Sequence, residues 1–272
     1  MMETEEIVMT ETPKQFVDRT LRKRETDDIA IEESRMFMRD ALYDISEKKK
    51  MSEGTLILVD EVNDPGKIEG SDRKKKSSTT TFGYGLAVVE DRETFKGVSE
   101  SYKKLRGIKK ELKLRKVTNV EEKVLIAEGV GISKAKTSGI YIDKTRDLPD
   151  GYYDQSGTDV MLGMLQRALD ITISEVTSEH ITVVVDDHSS YHSGSTNYVE
   201  ALSEPLSEEH RKTVMCRTGS KKKDAYASHL QTTDAVSHAL HRSAELGISD
   251  MSVAMKQKII RLDKNDSIRR RQ

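Results

Sequence analysis

From residue 55 onward, short apolar runs alternate with longer stretches of helical period, and this alternation limits the fold more than any other feature of the chain. Residues 55–60 and 180–186 are apolar runs of strand length. Residues 157–176 and 224–246 repeat apolar side chains at helical spacing. Strands that alternate with helices predict an α/β fold in which helices flank a mixed sheet.

Further elements follow from the same patterns. Strands are predicted at residues 80–90, 138–143 and 213–217, and helices at residues 92–106 and 118–130. A weaker helical period covers residues 27–47. We therefore expect three parts: a charged, partly helical N-terminal extension over residues 1–51, an α/β domain over residues 52–250, and a C-terminal tail with a basic end over residues 251–272.

Charge and cysteine content exclude several classes of protein. The 45 Lys and Arg side chains nearly balance 47 Asp and Glu, which gives a net charge of -2 and argues against binding of nucleic acid or membrane through bulk charge. The single cysteine, Cys216, excludes a disulfide framework and favours a reducing, cytoplasmic location. No apolar run approaches the ~20 residues of a membrane helix, and the acidic N-terminus is unlike a signal peptide.

Acidic side chains follow two of the predicted strands. Asp60 and Glu61 come after the first, and Asp186 and Asp187 come after another. Ligand sites of open α/β sheets collect at the carboxyl ends of strands, and carboxylates there suit Mg²⁺ or Mn²⁺. A third acid, Asp234, lies in the middle of a predicted helix, where Asp is unfavourable without a particular role.

Four short motifs, taken in order, resemble the family called domain of unknown function 3800, a divergent RNase H-like group. They are Asp60-Glu61-Val62-Asn63, Glu111-Leu112-Lys113, Asp186, and Leu230-Gln231-Thr232-Thr233-Asp234. The resemblance covers about residues 55–246. The family pattern has Ser and Gly where this chain has Val62 and Asn63, so the loop after the first strand differs in shape and the role of Glu61 stays open.

The resemblance implies an RNase H-like fold and a cluster of metal-binding carboxylates. Asp60, Glu111, Asp186 and Asp234 would hold two Mg²⁺ or Mn²⁺ ions, which activate water and stabilise the leaving oxygen in phosphodiester hydrolysis. The implied protein is a metal-dependent nuclease or phosphodiesterase with nucleic acid as its partner. Asp143 is an alternative to Glu111, because it also ends a predicted strand.

Basic and histidine side chains supply the remaining candidates. Residues 103–116 carry eight Lys or Arg side chains and one Glu. In an extended segment Lys113 shares the side of Glu111, so we expect it at the substrate phosphate together with Lys221 and Lys222. His188, which closely follows Asp186, is a candidate general acid/base or water-positioning group.

Two other hypotheses remain open. A non-catalytic RNase H-like interaction module would have its carboxylates more than ~8 Å apart, since two bridged ions need a compact cluster. Such a module would form a homodimer, or bind another protein, through residues 27–47. A His-assisted di-metal hydrolase would instead use His188 or His238 as a metal ligand.

Overall fold

A computed structural model describes residues 13–47, 54–63, 79–146, 148–150, 152, 156–193 and 196–268. Its strands are β1 (Thr55–Val62), β2 (Thr81–Val89), β3 (Lys136–Asp143), β4 (His180–Asp186), β5 (His192–Ser193), β6 (Thr196–Asn197), β7 (Thr213–Gly219) and β8 (Lys258–Leu262). Its α-helices are α1 (Pro13–Glu47), α2 (Arg92–Arg106), α3 (Val120–Ile132), α4 (Gly157–Ser174), α5 (Ser203–His210), α6 (Ala227–Leu246) and α7 (Asp250–Ala254). None of these helices combines the length and apolar character needed to cross a membrane.

Six of the strands form one mixed sheet in the order β7-β4-β1-β2-β3-β8. The strand β2 is antiparallel to both of its neighbours, β1 and β3, whereas β4 lies parallel to β1 and β7 lies parallel to β4. An antiparallel meander extended on one side by two parallel strands is the arrangement of an RNase H-like sheet. The predicted α/β fold with a mixed sheet flanked by helices is therefore confirmed.

The sheet is buried on both faces, as its continuous apolar strands indicate. In β1, Leu56 and Leu58 point to the face covered by α1, α2, α3, α6 and α7, and the side chains between them, Ile57 and Val59, point to the face covered by α4. All four side chains are fully buried. Burial of such a side chain contributes about 1.5–3 kcal/mol, so this central strand anchors both cores.

The predicted N-terminal extension is one long helix that packs on the domain. Within α1, Ile31, Met38 and Leu42 are buried. Helix α1 comes close to α2 at Gly97 and close to α3 at Gly129. A methyl group on either glycine would lie within 3.3 Å of an α1 side chain. Residues 1–12 and 48–51 of the extension, and the first two residues predicted for the α/β domain, 52 and 53, lie outside the described residues.

Residues 251–268, expected as part of a tail, belong instead to the folded domain. The boundary placed at residue 250 falls at the start of α7, and β8 adds a sixth strand parallel to β3. Ile268 is also buried, in the core on the α4 side. The pattern of β8 did not reveal a strand, because charged residues flank and interrupt its short apolar run. The basic end at 269–271 lies outside the described residues.

Candidate active site

Two aspartates lie side by side in the centre of the sheet. Val59 of β1 pairs with Val185 of β4 in parallel register, so the next residues, Asp60 and Asp186, are neighbours across the two strands. The strand β1 continues to Val62, two residues beyond its predicted end. Asp60 therefore projects from the sheet itself, and its side chain is only 6% exposed.

Glycines flank this pair and bring helix α6 down onto it. Gly85 pairs with Asp60, and Gly219 pairs with Asp186. A methyl group on Gly85 would lie 2.6 Å from the backbone nitrogen of Ser237, and α6 occupies that space. The hydroxyl of Ser237 donates to the carbonyl of Asp60 at 3.1 Å. The close contact holds α6, and Asp234 on it, against the two aspartates.

The ammonium of Lys221 lies at the point where the three aspartates converge. Its Nζ is 3.0 Å from Oδ1 of Asp60, 3.2 Å from Oδ2 of Asp186 and 3.1 Å from Oδ1 of Asp234. Three oxygens this close to one nitrogen cannot be separated by the ~8 Å of a splayed arrangement. The side chain of Lys221 is 12% exposed, so this cation is largely withdrawn from solvent.

The ionisation of the cluster reflects three carboxylates that share one ammonium. Burial raises the pKa of Asp60 to about 7; Lys221 opposes this shift, and the charges of Asp234 and Asp186 add to it. Burial lowers the pKa of Lys221, but its three carboxylate neighbours raise it by more, so the pKa lies above the ordinary value. Lys221 therefore stays charged, and the cluster still has an excess of negative charge.

Gln231 and Asp234 act together as a clamp, because residues three apart share a face of α6. Oε1 of Gln231 accepts from the backbone nitrogen of Leu112 at 3.1 Å, and its Nε2 donates to the carbonyl of Lys221 at 2.7 Å. Oδ2 of Asp234 accepts from the backbone nitrogen of Leu114 at 2.7 Å. The clamp holds both the Glu-Leu-Lys segment and the lysine beside the sheet.

An open cleft of about 630 Å³ unites most of the predicted site residues. Its lining includes the four expected metal ligands, Asp60, Glu111, Asp186 and Asp234, together with His188, Lys113 and Lys221. Oε1 of Glu111 lies 3.5 Å from Nζ of Lys113, as expected for side chains on one side of an extended segment. Sequence reasoning did not assign a role to Arg115 or Ser237, which also line the cleft.

Three candidates take different positions from those expected. Lys221 was predicted to bind substrate phosphate, but it forms ion pairs with the three aspartates instead. Lys222 is exposed and is not among the described residues that line the cleft. Asp143, the alternative to Glu111, pairs with Arg146 at 3.0 Å and likewise is not among those lining residues.

Three histidines, His188, His238 and His241, line the cleft together with Glu61. Successive strand residues point to opposite faces, so Glu61 points away from the face of Asp60, and its Oε1 lies 3.5 Å from Nε2 of His188. Nε2 of His238 and Nδ1 of His241 are buried without a hydrogen-bond partner among the described residues. Burial and the charge of Lys123 lower the pKa of His238 to about 4, so its ring is neutral at pH 7. Histidine ligation of a metal stays a prediction.

The donor set fits a hard cation. Carboxylate oxygens from three separate elements point at one position that a cation already holds, and hard oxygen donors suit Mg²⁺ or Mn²⁺. In the described part of the chain no group of three His, Cys, Asp or Glu side chains is arranged as a ready metal site. The ammonium of Lys221 lies between the three carboxylates of the cluster.

No family model matches the chain, and no curated protein matches its sequence. Among solved structures, a chain of the PCNA:RNase HII complex from Archaeoglobus fulgidus is similar, with 13% identity and a TM-score of 0.43 over 71% of this chain and 75% of that one.

Proposed function

We propose that this protein is a divalent-metal-dependent phosphodiesterase that acts on nucleic acid, as the resemblance to the domain of unknown function 3800 family implies. The observation that carries the proposal is the convergence of Asp60, Asp186 and Asp234 on one cation position at the floor of a cleft. Lys113 and Arg115 line the same cleft, where they can meet the phosphates of a polyanion.

Each side chain has a distinct task in this proposal. Asp60, Asp186, Asp234 and Glu111 would hold Mg²⁺ or Mn²⁺, which when bound supplies Lewis acidity and lowers the pKa of water. Lys113 would orient the scissile phosphate. His188, whose Nε2 lies 3.5 Å from the Glu61 carboxylate, would move a proton to or from the attacking water or the leaving oxygen at its other ring nitrogen, Nδ1.

The test is a cleavage panel of labelled DNA, RNA and hybrid substrates with Mg²⁺ or Mn²⁺. We expect the wild-type protein to cleave at least one substrate and Asp60→Asn to lose at least about 100-fold in rate, because a principal carboxylate is gone. Asp143→Asn is the matched control, since Asp143 ends β3 but lies outside the lining of the cleft. Equal rates for wild type and Asp60→Asn would contradict the proposal.

A second candidate function is the interaction module, and one surface favours it. Ile29, Met36 and Tyr43 are 62%, 57% and 62% exposed and lie seven residues apart on α1. Apolar side chains that repeat every seven residues are typical of helix–helix association, which points to the α1 of a second copy. Under this candidate, light scattering would show a wild-type dimer that Met36→Lys converts to a monomer. A wild-type monomer would count against it.

A further inference from the structure

We propose that Lys221 permanently fills one of the two cation positions, so that the site takes a single divalent ion beside it. This inference rests on the proposed function. It replaces the expected two-metal centre with a centre of one metal ion and one ammonium. Lys221 is then a positioning residue of the carboxylate cluster and not a ligand of the substrate phosphate.

The way Lys221 is held supports a permanent position. Its Nζ contacts three carboxylates at 3.0–3.2 Å, and its carbonyl accepts from Gln231 at 2.7 Å. Helix α6 therefore contacts both ends of this residue, because Asp234 pairs with its ammonium and Gln231 donates to its carbonyl. Lys222 and Lys223, the next residues along the chain, are exposed. Of these three consecutive lysines, only the first is turned inward, into the carboxylate cluster.

The charges of the cluster leave room for one divalent ion. Asp60, Asp186 and Asp234 carry three negative charges when ionised, and Lys221 contributes one positive charge. The remaining two negative charges match a single Mg²⁺ or Mn²⁺. Glu111 does not change this balance, because Lys113 lies 3.5 Å from it. Two divalent ions beside Lys221 would give the site an excess of positive charge in a partly buried place, where unpaired charge is costly.

The first test uses only the wild-type protein. Amine acylation followed by mass spectrometry compares the labelling of Lys221 with that of exposed Lys222, with and without saturating Mn²⁺. We expect Lys221 to react at least about tenfold more slowly than Lys222 in both conditions, because it stays buried and ion-paired. Labelling of Lys221 that rises to the rate of Lys222 when Mn²⁺ is added would show displacement and overturn the inference.

The second test counts bound ions. Titration calorimetry and Mn²⁺ resonance should give one Mn²⁺ per wild-type chain and per Lys222→Met control. In Lys221→Met the ammonium is lost, and we expect two Mn²⁺ per chain. Two ions bound by the wild-type protein would overturn the inference and leave the proposed function standing. No Mn²⁺ bound by wild type or by either variant would remove both together.

Discussion

Replacement of Gln231 by Met tests the clamp that holds the cleft together. Gln231 is 4% exposed, and Met is close to it in length but forms none of its hydrogen bonds. The change leaves the buried N–H of Leu112 and the carbonyl of Lys221 without their partner. It also removes a contact of 3.3 Å from Nζ of Lys103, which water can replace.

The expected loss of stability in Gln231→Met follows from these three contacts. A buried polar group left without a partner costs about 1–3 kcal/mol, and a partly exposed one costs less. We expect Gln231→Met to lower the free energy of unfolding by about 2–4 kcal/mol. For a domain of this size that corresponds to a fall of about 4–16 °C in Tm. Hydrogen exchange should also show faster exchange at the amide of Leu112.

Gln166→Met is the matched control. Gln166 is 5% exposed and lies on α4, across the sheet from the cleft. Its Oε1 has no hydrogen-bond partner among the described residues, so the same substitution removes no bond at that oxygen. We expect a change of less than about 1 kcal/mol in urea unfolding. Equal free energies of unfolding for the two variants would refute the assignment of the clamp.

Two further predictions concern packing and pH. Gly85→Ala should destabilise the domain by about 1–3 kcal/mol, since the new methyl group meets the backbone of α6. Gly157→Ala, where nothing lies within 4 Å, should be neutral or slightly stabilising in the same thermal melts, and equal losses would contradict the packing argument. Burial and the charge of Lys96 lower the pKa of His229 to about 4, below its unfolded value of 6.5, so the unfolded chain takes up the proton first as pH falls. Between pH 7.5 and pH 5 the free energy of unfolding of the wild type should therefore fall by about 2 kcal/mol more than that of His229→Leu. Equal falls for the two proteins in urea unfolding would contradict the lowered pKa of His229.

Much of the fold could be predicted because the apolar runs of the central strands have few alternative structures. Residues 180–186 form β4 with the predicted bounds, and residues 92–106 form α2 with the predicted bounds. The edge strand β8 was not predicted, since a short run between charged residues has the pattern of a surface loop as well. Edge strands depend on a neighbour that is distant in sequence, and local pattern does not reveal that neighbour.

The carboxylates of the site could be predicted for the same reason, because they are tied to elements with clear patterns. Asp60 and Asp186 follow buried runs, and Asp234 is an unfavourable residue in a strong helix. The inward turn of Lys221 could not be predicted, since three consecutive lysines give no local sign of which one is buried. The signal lies in topology: β7 runs parallel to β4, so residues just after Gly219 reach the same edge as Asp186.

The counter-charge of the central strand pair, Lys221, leaves the ribosome after both of the aspartates that it pairs with. Asp60 and Asp186 become neighbours as soon as β1 and β4 pair, whereas Lys221 follows β7 and precedes α6 along the chain. Until that part docks, two like charges oppose the pairing of the two strands. A nascent chain that stops at the end of β7 therefore lacks both the helix α6, which covers this face of the sheet, and the ammonium that pairs with the two aspartates. The ion pairs of Lys221 thus join β1, β4 and α6, three elements that are distant from one another in the sequence.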